Sequence, residues 1–425
     1  MRSLKLVALQ VYRLAILVAL AMLIRTHHVR LRIGGDAPIT LSEVREVFPD
    51  AETLREDAGA KAGMHVYDHT GSELGYVLRT MPDAESIIGY RGWTDTLVAF
   101  DPSAKIAGVR VRSSQDTREH VGDVKDDAYF MKTWNGKAWE EVAGVPPEEH
   151  GIEGVSGATM TSMAMAEGIM RRLASADAAS AIPPPAFRPR LRDWGLVAVL
   201  AMAMWLVFTG THGRKWVRRS FQVFVIAYIG FLTGDLLAQS LFAGWSQSGA
   251  PWRTAPGLVL LLAAALAIPW TTGKPLYCHH ICPHGAAQEL LSHISPKGWR
   301  VHLHPGLAAG LRWLPPLLLG CVLIITLLVL PVDVAHLEPF DAYVVRTAGW
   351  ATLTIAITSL VASLFVPMAY CHYGCPTGAL LAFVRTRGSA DRFGRRDVAA
   401  LALLAFGTLL VWKYYAIRAW MLADG

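Results

Sequence analysis

Three stretches, Trp194–Gly213, Thr254–Gly273 and Trp313–Val332, each run for 20 residues without Asp, Glu, Lys or Arg. At helical rise, about 20 residues cross a hydrocarbon core of about 30 Å, and in lipid the backbone must satisfy its own polar groups. These runs read as membrane-crossing helices. Three more are predicted: Ser220–Ala243, interrupted by Asp235; the long uncharged stretch Thr347–Val384; and Val398–Trp412, extendable through a snorkelling Lys413. Residues 194–425 are therefore expected to form an all-α polytopic domain of six helices.

Composition agrees, because 53% of residues are apolar and only 17% charged, against about a quarter charged in soluble domains. A purely cytosolic enzyme is not expected. Charge is also unevenly placed: Gly34 to Glu153 holds 23 acids and 12 bases, while the rest holds 11 acids and 28 bases. The net charge of +6 does not imply a nucleic-acid partner, since the bases flank apolar runs rather than sharing a face with aromatics. The partner of these bases is membrane lipid.

Lys and Arg stay on the cytoplasmic side of a membrane. The segments Arg214–Arg219, Lys274–Arg312 and Arg385–Asp397 carry 13 bases, whereas the alternate loops around Arg253 and Arg346 carry 2. This asymmetry puts the linker 176–193, with its Pro183-Pro184-Pro185 run, and the acidic domain 34–175 outside the cytoplasm. At the N-terminus, Leu14–Ile24 is an apolar core preceded by Arg2, Lys5 and Arg13. No small-residue cleavage site follows, so 1–33 is expected to be an uncleaved signal anchor.

All five cysteines lie in the apolar half, so the exported domain has no disulfide framework. Four of them fall in two copies of one pattern, Tyr277-Cys278-His279-His280-Ile281-Cys282-Pro283-His284-Gly285-Ala286 and Tyr370-Cys371-His372-Tyr373-Gly374-Cys375-Pro376-Thr377-Gly378-Ala379, 93 residues apart. The repeat of Y-C-H-x-x-C-P-x-G-A implies a duplicated helical unit. Cys278, Cys282, Cys371 and Cys375 would supply four sulfurs, the number that holds one [2Fe-2S] or [4Fe-4S] cluster. A four-cysteine zinc site uses the same donors, and c-type haem is excluded because neither copy is CxxCH. Cys321 is expected to be core; His279, His280, His284 and His372 could tune or ligate a cluster but are expected to be solvated or capping residues, and His302 and His304 to be ordinary loop histidines.

Residues 34–175 read as an α+β domain. Strands are expected at Gly63–Asp68, Glu73–Leu78, Thr96–Phe100 and Ile106–Val111, and helices at Leu41–Phe48 and Thr161–Leu173. The second helix is introduced by Glu153-Gly154-Val155-Ser156-Gly157-Ala158-Thr159-Met160-Thr161. Small residues and free amides at a helix start suit a phosphate, although Ser156 or Thr159 could equally serve as a plain N-cap.

Ser156-Gly157-Ala158-Thr159-Met160-Thr161 resembles the S/T-G-A-T-x-S/T flavinylation motif of FMN-binding domains in the Na+-translocating quinone reductase and Rnf families. That resemblance implies covalent FMN, joined by a phosphoester to Thr159 by a flavin transferase, with Ser156, Gly157, Ala158 and Thr161 around it. Glu153 stands where those families usually have Asp. Gly89-Tyr90 before Thr94–Phe100 resembles the strand entry of such domains, and Asp116-Thr117 their flavin-side turn.

With the helices and the CxxxCP pairs, the whole is similar to the NosR/NirI group of membrane flavoproteins, its helical half to NapH. The resemblance implies a multi-pass protein of the bacterial inner membrane. It would pass electrons from a quinol or cytoplasmic ferredoxin-like donor to a periplasmic reductase, in support of nitrous oxide reductase and hence denitrification. The group usually continues into a ferredoxin-like domain with CxxCxxCxxxCP runs. None occurs before Gly425, which implies that another protein supplies those clusters or that the donor differs. An alternative reading is an assembly or regulatory protein whose CxxxCP pairs hold copper or zinc.

Overall fold

The computed structural model describes residues 2–31, 38–57, 62–143, 147–177, 187, 189–209, 215–330, 332–344 and 348–423. The Pro183–Pro185 run, Arg214 and Arg346 lie outside the described residues. The chain divides into two compact units, one of Met1–Arg30, Pro189–Ser246 and Ala255–Gly425, the other of Leu31–Arg188 and Gln247–Thr254.

The first unit opens with α1 (Arg2–Leu31), whose polarity is inverted relative to a water-soluble helix. Val7, Val11, Leu14, Val18 and Met22 are exposed, while Gln10, Arg13, His27 and His28 are buried. An outward apolar stripe over buried polar groups is what a lipid surround selects. Arg13 is fully enclosed, with Nε 2.7 Å from Asp397 Oδ1 and Nη1 2.7 Å from Asp391 Oδ2.

The second unit contains a five-stranded antiparallel meander: β1 (Thr53–Glu56), β2 (Met64–Tyr67), β3 (Glu73–Arg79), β4 (Thr94–Phe100) and β5 (Ile106–Ser114), in that spatial order. Successive side chains point to opposite faces. Leu78, Val98 and Phe100 therefore join one core with Trp134, Met165 and Ile169, while Val77, Leu97 and Ala99 join another with Val44 and Val66. β4 is buried along its whole length because both faces are covered.

The helices of this unit are α2 (Leu41–Arg45), α3 (Arg118–Asp126), α4 (Ala128–Lys132), α5 (Trp139–Val142) and α6 (Thr159–Asp177). The expected helix 41–48 is shorter, ending in a turn before Pro49, and the one expected from Thr161 starts two residues earlier. β1 escaped the sequence reading because an exposed edge strand of Thr, Leu, Arg and Glu shows no apolar alternation.

The first unit resumes with α7 (Leu191–Thr209) and α8 (Lys215–Val225), which continues as a π-helix, Ile226–Thr233. Next come α9 (Gln239–Ser248), α10 (Pro256–Thr272), α11 (Pro283–Ile294), α12 (Pro305–Leu311), α13 (Leu314–Leu328), α14 (Trp350–Phe365), α15 (Ala369–Tyr373), α16 (Pro376–Val384), α17 (Arg395–Trp412) and α18 (Tyr414–Ala423).

Among the described residues, three helices are long and apolar enough to cross a membrane: Lys5–Leu31, Leu191–Thr209 and Pro305–Leu328. Arg395–Trp412 with Tyr414–Met421 makes a fourth if a pair bent by 67° is one span, and Pro256–Thr272 and Trp350–Phe365 are shorter apolar helices. The expected span Ser220–Ala243 is not one helix. It breaks at Gly234, where φ is +66°, and the adjoining Asp235 is held by Arg192 Nε at 2.8 Å. Cys321, expected in the core, is exposed on α13. In a lipid-facing helix an apolar run covers the outside as well as the inside, so apolarity does not mark burial.

Candidate cofactor sites

In the α+β unit, Asp116 organises the turn around Gly89. Its Oδ2 accepts from the Tyr90 amide at 2.9 Å and from the Thr161 hydroxyl at 2.7 Å, and its Oδ1 accepts from the Arg91 amide at 3.0 Å. Gly89 is obligatory here, because a Cβ would stand 2.4 Å from Asp116 Oδ2 and 3.2 Å from Thr161 Cα. Tyr90 is buried and stacks on His120, with ring centroids 4.9 Å apart. Thr161 is likewise buried. Gly89, Tyr90 and Thr161 thus form one internal framework centred on Asp116.

Ser156, Gly157 and Thr159 are placed differently. Ser156 and Gly157 are exposed, Thr159 is half-buried and Ala158 is packed inside. Gly157 has φ +87°, which a side chain would strain. The Thr159 hydroxyl donates to the Val155 carbonyl at 3.0 Å. Gly154 lies beneath it, where a Cβ would come within 2.6 Å of Thr159 Cγ2. The first rung of α6 runs from the Ser162 amide to the Ala158 carbonyl at 3.0 Å. The amides of Thr159, Met160 and Thr161 therefore have no ladder acceptor and are available to a phosphate. The residues present fit an FMN phosphate at this helix start. Neither Ser156 nor Thr159 caps it with a side-chain oxygen.

In the helical unit, the two Y-C-H-x-x-C-P copies fold alike. The Cys282 amide reaches the Tyr277 carbonyl at 2.9 Å, and the Cys375 amide reaches the Tyr370 carbonyl at 2.8 Å. Each is a five-residue loop closure that ends in an extended cysteine. That cysteine is the N-cap of the next helix, with Pro283 or Pro376 at its first position, where a missing amide costs nothing. Helix-start amides then face each sulfur: Gly378 donates to Cys375 Sγ at 3.1 Å, and the His284 and Gly285 amides face Cys282.

α11 and α16 return to the helix ends that precede the motifs. The Thr386 amide bonds the Pro269 carbonyl at 3.1 Å, and Ser295 Oγ bonds the Leu364 carbonyl at 2.6 Å. Cys282 and Cys375, which start α11 and α16, consequently stand about 18 and 14 Å from the far ends of those helices, their lengths at helical rise.

All four cysteines are electrostatic neighbours. Cys278 lies near Cys282, Cys371 near both of these, and Cys375 near the other three. Gly285 separates the pairs: a Cβ there would meet the Cys278 carbonyl at 2.8 Å, Cys282 Cβ at 3.7 Å and Cys371 Sγ at 3.8 Å. All are free thiols. Among the described residues no three His, Cys, Asp or Glu converge as they would on a single metal ion. Four cysteine sulfurs are the donor set that holds an iron–sulfur cluster.

Of the histidines, His284 is buried with both ring nitrogens engaged, by Tyr343 Oη and Ser359 Oγ at 3.0 Å each. His279, His372, His302 and His304 are exposed, and His304 caps α12.

Two buried groups beside the cysteines gave no signal in the sequence. Glu338, in the α13–α14 connection, accepts from Thr377 Oγ1 and from the Gln239 amide, each at 2.6 Å. Gln288 on α11 is fully enclosed and reaches Cys371. Gln288 is followed by Glu289, and Glu338 lies between His336 and Asp341, so neither stands out from its polar neighbours.

Comparison with known proteins assigns domains to both regions. Residues 89–174 match the FMN-binding domain family, and residues 254–302 and 348–396 match a 4Fe-4S binding domain, once on each CxxxCP copy. YccM of Escherichia coli, named for electron transport, is 28% identical over 44% of this chain and 56% of its own length. The regulatory protein NosR of Pseudomonas aeruginosa is 30% identical over 42% of this chain and 27% of its own. NirI of Paracoccus denitrificans is 28% identical over 39% of this chain and 26% of its own. The chain thus spans between a quarter and somewhat over half of the relatives it matches. No solved structure matches it significantly.

Proposed function

Because the chain is a NosR/NirI-type FMN-binding protein with 4Fe-4S binding segments, we propose that it is a membrane electron carrier of the bacterial inner membrane. It would join one four-cysteine cluster to FMN held covalently on Thr159. The reading rests above all on the meeting of two sequence-distant motif copies at Cys278, Cys282, Cys371 and Cys375.

In this reading each motif re-enters the bilayer from the cytoplasmic side, where the 13 bases lie, and ends roughly half-way through a core of about 30 Å. Placing the cysteines inside the membrane unit shortens the electron's crossing from either face. The acidic domain 34–175 stands in the periplasm, carried by the anchor 1–33 and the linker 176–193 ahead of the helical domain 194–425.

In this reading each residue has a role. The four sulfurs hold the cluster, and helix-start amides at Cys282 and Cys375 offset its negative charge. Thr159 presents the hydroxyl to which a flavin transferase attaches the nucleotide, and the Thr159–Thr161 amides hold its phosphate. FMN, when bound, exchanges one or two electrons and so suits a junction between one- and two-electron carriers. The donor is a quinol or a cytoplasmic ferredoxin-like protein. The acceptor is a periplasmic reductase, with nitrous oxide reductase suggested by kinship.

Purification from cells that also make a flavin transferase tests this. Broad iron–sulfur absorption, together with an FMN adduct on the Ser156–Met170 peptide, is expected. A colourless protein with a zinc- or copper-loaded four-thiolate site would overturn the reading.

A further inference from the structure

Gln288 is fully buried at the contact between the two motif copies. Its Oε1 lies 3.1 Å from the Tyr370 amide and 2.9 Å from Ser363 Oγ, and its Nε2 lies 3.2 Å from Cys371 Sγ and 3.4 Å from the His284 carbonyl. The amide cannot be turned round. A backbone N–H can only donate, so the side-chain oxygen must face Tyr370. The two Nε2 hydrogens are then directed at Cys371 and at the His284 carbonyl, which can only accept. First-copy helix α11 therefore places a dedicated donor on a sulfur of the second copy.

The duplication does not return the favour. With the copies offset by 93 residues, the counterpart of Gln288 is Leu381, a buried side chain that cannot donate. We propose that Gln288 is a positioning and tuning residue of the four-cysteine centre: its one-sided hydrogen bond to Cys371 raises the centre's reduction potential and distinguishes the Cys371 ligand from the other three. A donor to a ligand sulfur stabilises the more negative, reduced state, so the sign of the effect is fixed. The proposal rests on the cluster reading above.

The experiment uses the full chain with its metal centre. Gln288→Glu keeps the length and an acceptor for the Tyr370 amide but takes the donor from Cys371. Gln288→Leu copies the residue of the second repeat. Iron and acid-labile sulfide per chain, the midpoint potential from a redox titration followed by electron paramagnetic resonance, and iron–sulfur stretching bands by resonance Raman are measured for each.

Retained iron with a more negative potential and a shifted stretching band in both variants is the expected result. Retained iron with an unchanged potential would overturn the tuning role, and loss of iron from both variants would make Gln288 scaffold only and overturn it as well. Absence of iron and sulfide from the unsubstituted chain would instead defeat the cluster reading itself.

Discussion

Gly285 and Gly378 hold the same place in the two motif copies, yet the structure separates the consequences of giving each a methyl group. At Gly285 the new Cβ would stand 2.8 Å from the Cys278 carbonyl oxygen, about 0.6 Å inside ordinary contact, and the obstacle is backbone that cannot swing aside. At Gly378 the nearest atoms are Cys375 Sγ at 3.3 Å and Cβ at 3.4 Å, with the Cys371 carbonyl at 3.9 Å. Overpacking of the first kind costs about 1–3 kcal/mol, and the second, which presses on a side chain by a few tenths of an ångström, should cost less. Gly285→Ala also intrudes between the cysteine pairs, so it should lose bound iron as well as heat resistance. The assay compares iron per chain and the temperature at which half the detergent-solubilised protein precipitates. Gly320→Ala, whose Cβ would meet only Leu403 Cδ2 at 3.7 Å, serves as the neutral control. Equal losses for Gly285→Ala and Gly378→Ala would show that motif position, not the Cys278 carbonyl, sets the cost.

Arg13→Met takes its ion-pair partner from buried Asp397, while Asp391 keeps Arg396 at 2.7 Å, and should cost about 3–5 kcal/mol, largely recovered when Asp397 also becomes Asn. A shift in thermal unfolding equivalent to less than about 1 kcal/mol would deny α1 a place in the helical unit's core. Thr159→Val should abolish in-gel flavin fluorescence while the domain stays folded. Thr161→Val should keep the flavin but destabilise the domain by about 1–3 kcal/mol, because its hydroxyl satisfies buried Asp116; the opposite pattern would move the acceptor to Thr161. Reporter fusions at Ser180 should be active only as periplasmic enzymes, and fusions near Arg392 only as cytoplasmic ones. A reversed pattern would undo the orientation drawn from the 13 to 2 base asymmetry.

The elements that declared themselves in sequence were those with a period or a repeat: strands β2 to β5, helix α6, the apolar helices α7, α10, α13 and α17, and the duplicated cysteine motif. What stayed hidden depends on contacts between distant residues. Asp116-Thr117 was legible only as a resemblance to a flavin-side turn, and nothing local shows that Asp116 ties the Gly89 turn to Thr161, 45 residues on. Gln288 joins residues 75 to 83 positions away, a distance that no local pattern encodes. The break at Gly234 was masked by apolar flanks, since hydropathy does not register a left-handed backbone angle. The break of Thr347–Val384 into three helices was equally illegible, because an uncharged run of this kind fits one long helix as well as α14 followed by α15 and α16.

Iron and acid-labile sulfide counted per chain in Cys278→Ser and Cys371→Ser, one cysteine from each motif copy, test the shared four-cysteine centre most directly. One cluster held by both copies predicts that either substitution alone removes most of the iron and sulfide, while Cys321→Ser leaves both unchanged. Full iron and sulfide in either single variant, or loss of half the iron in each, would show that the copies do not share one centre.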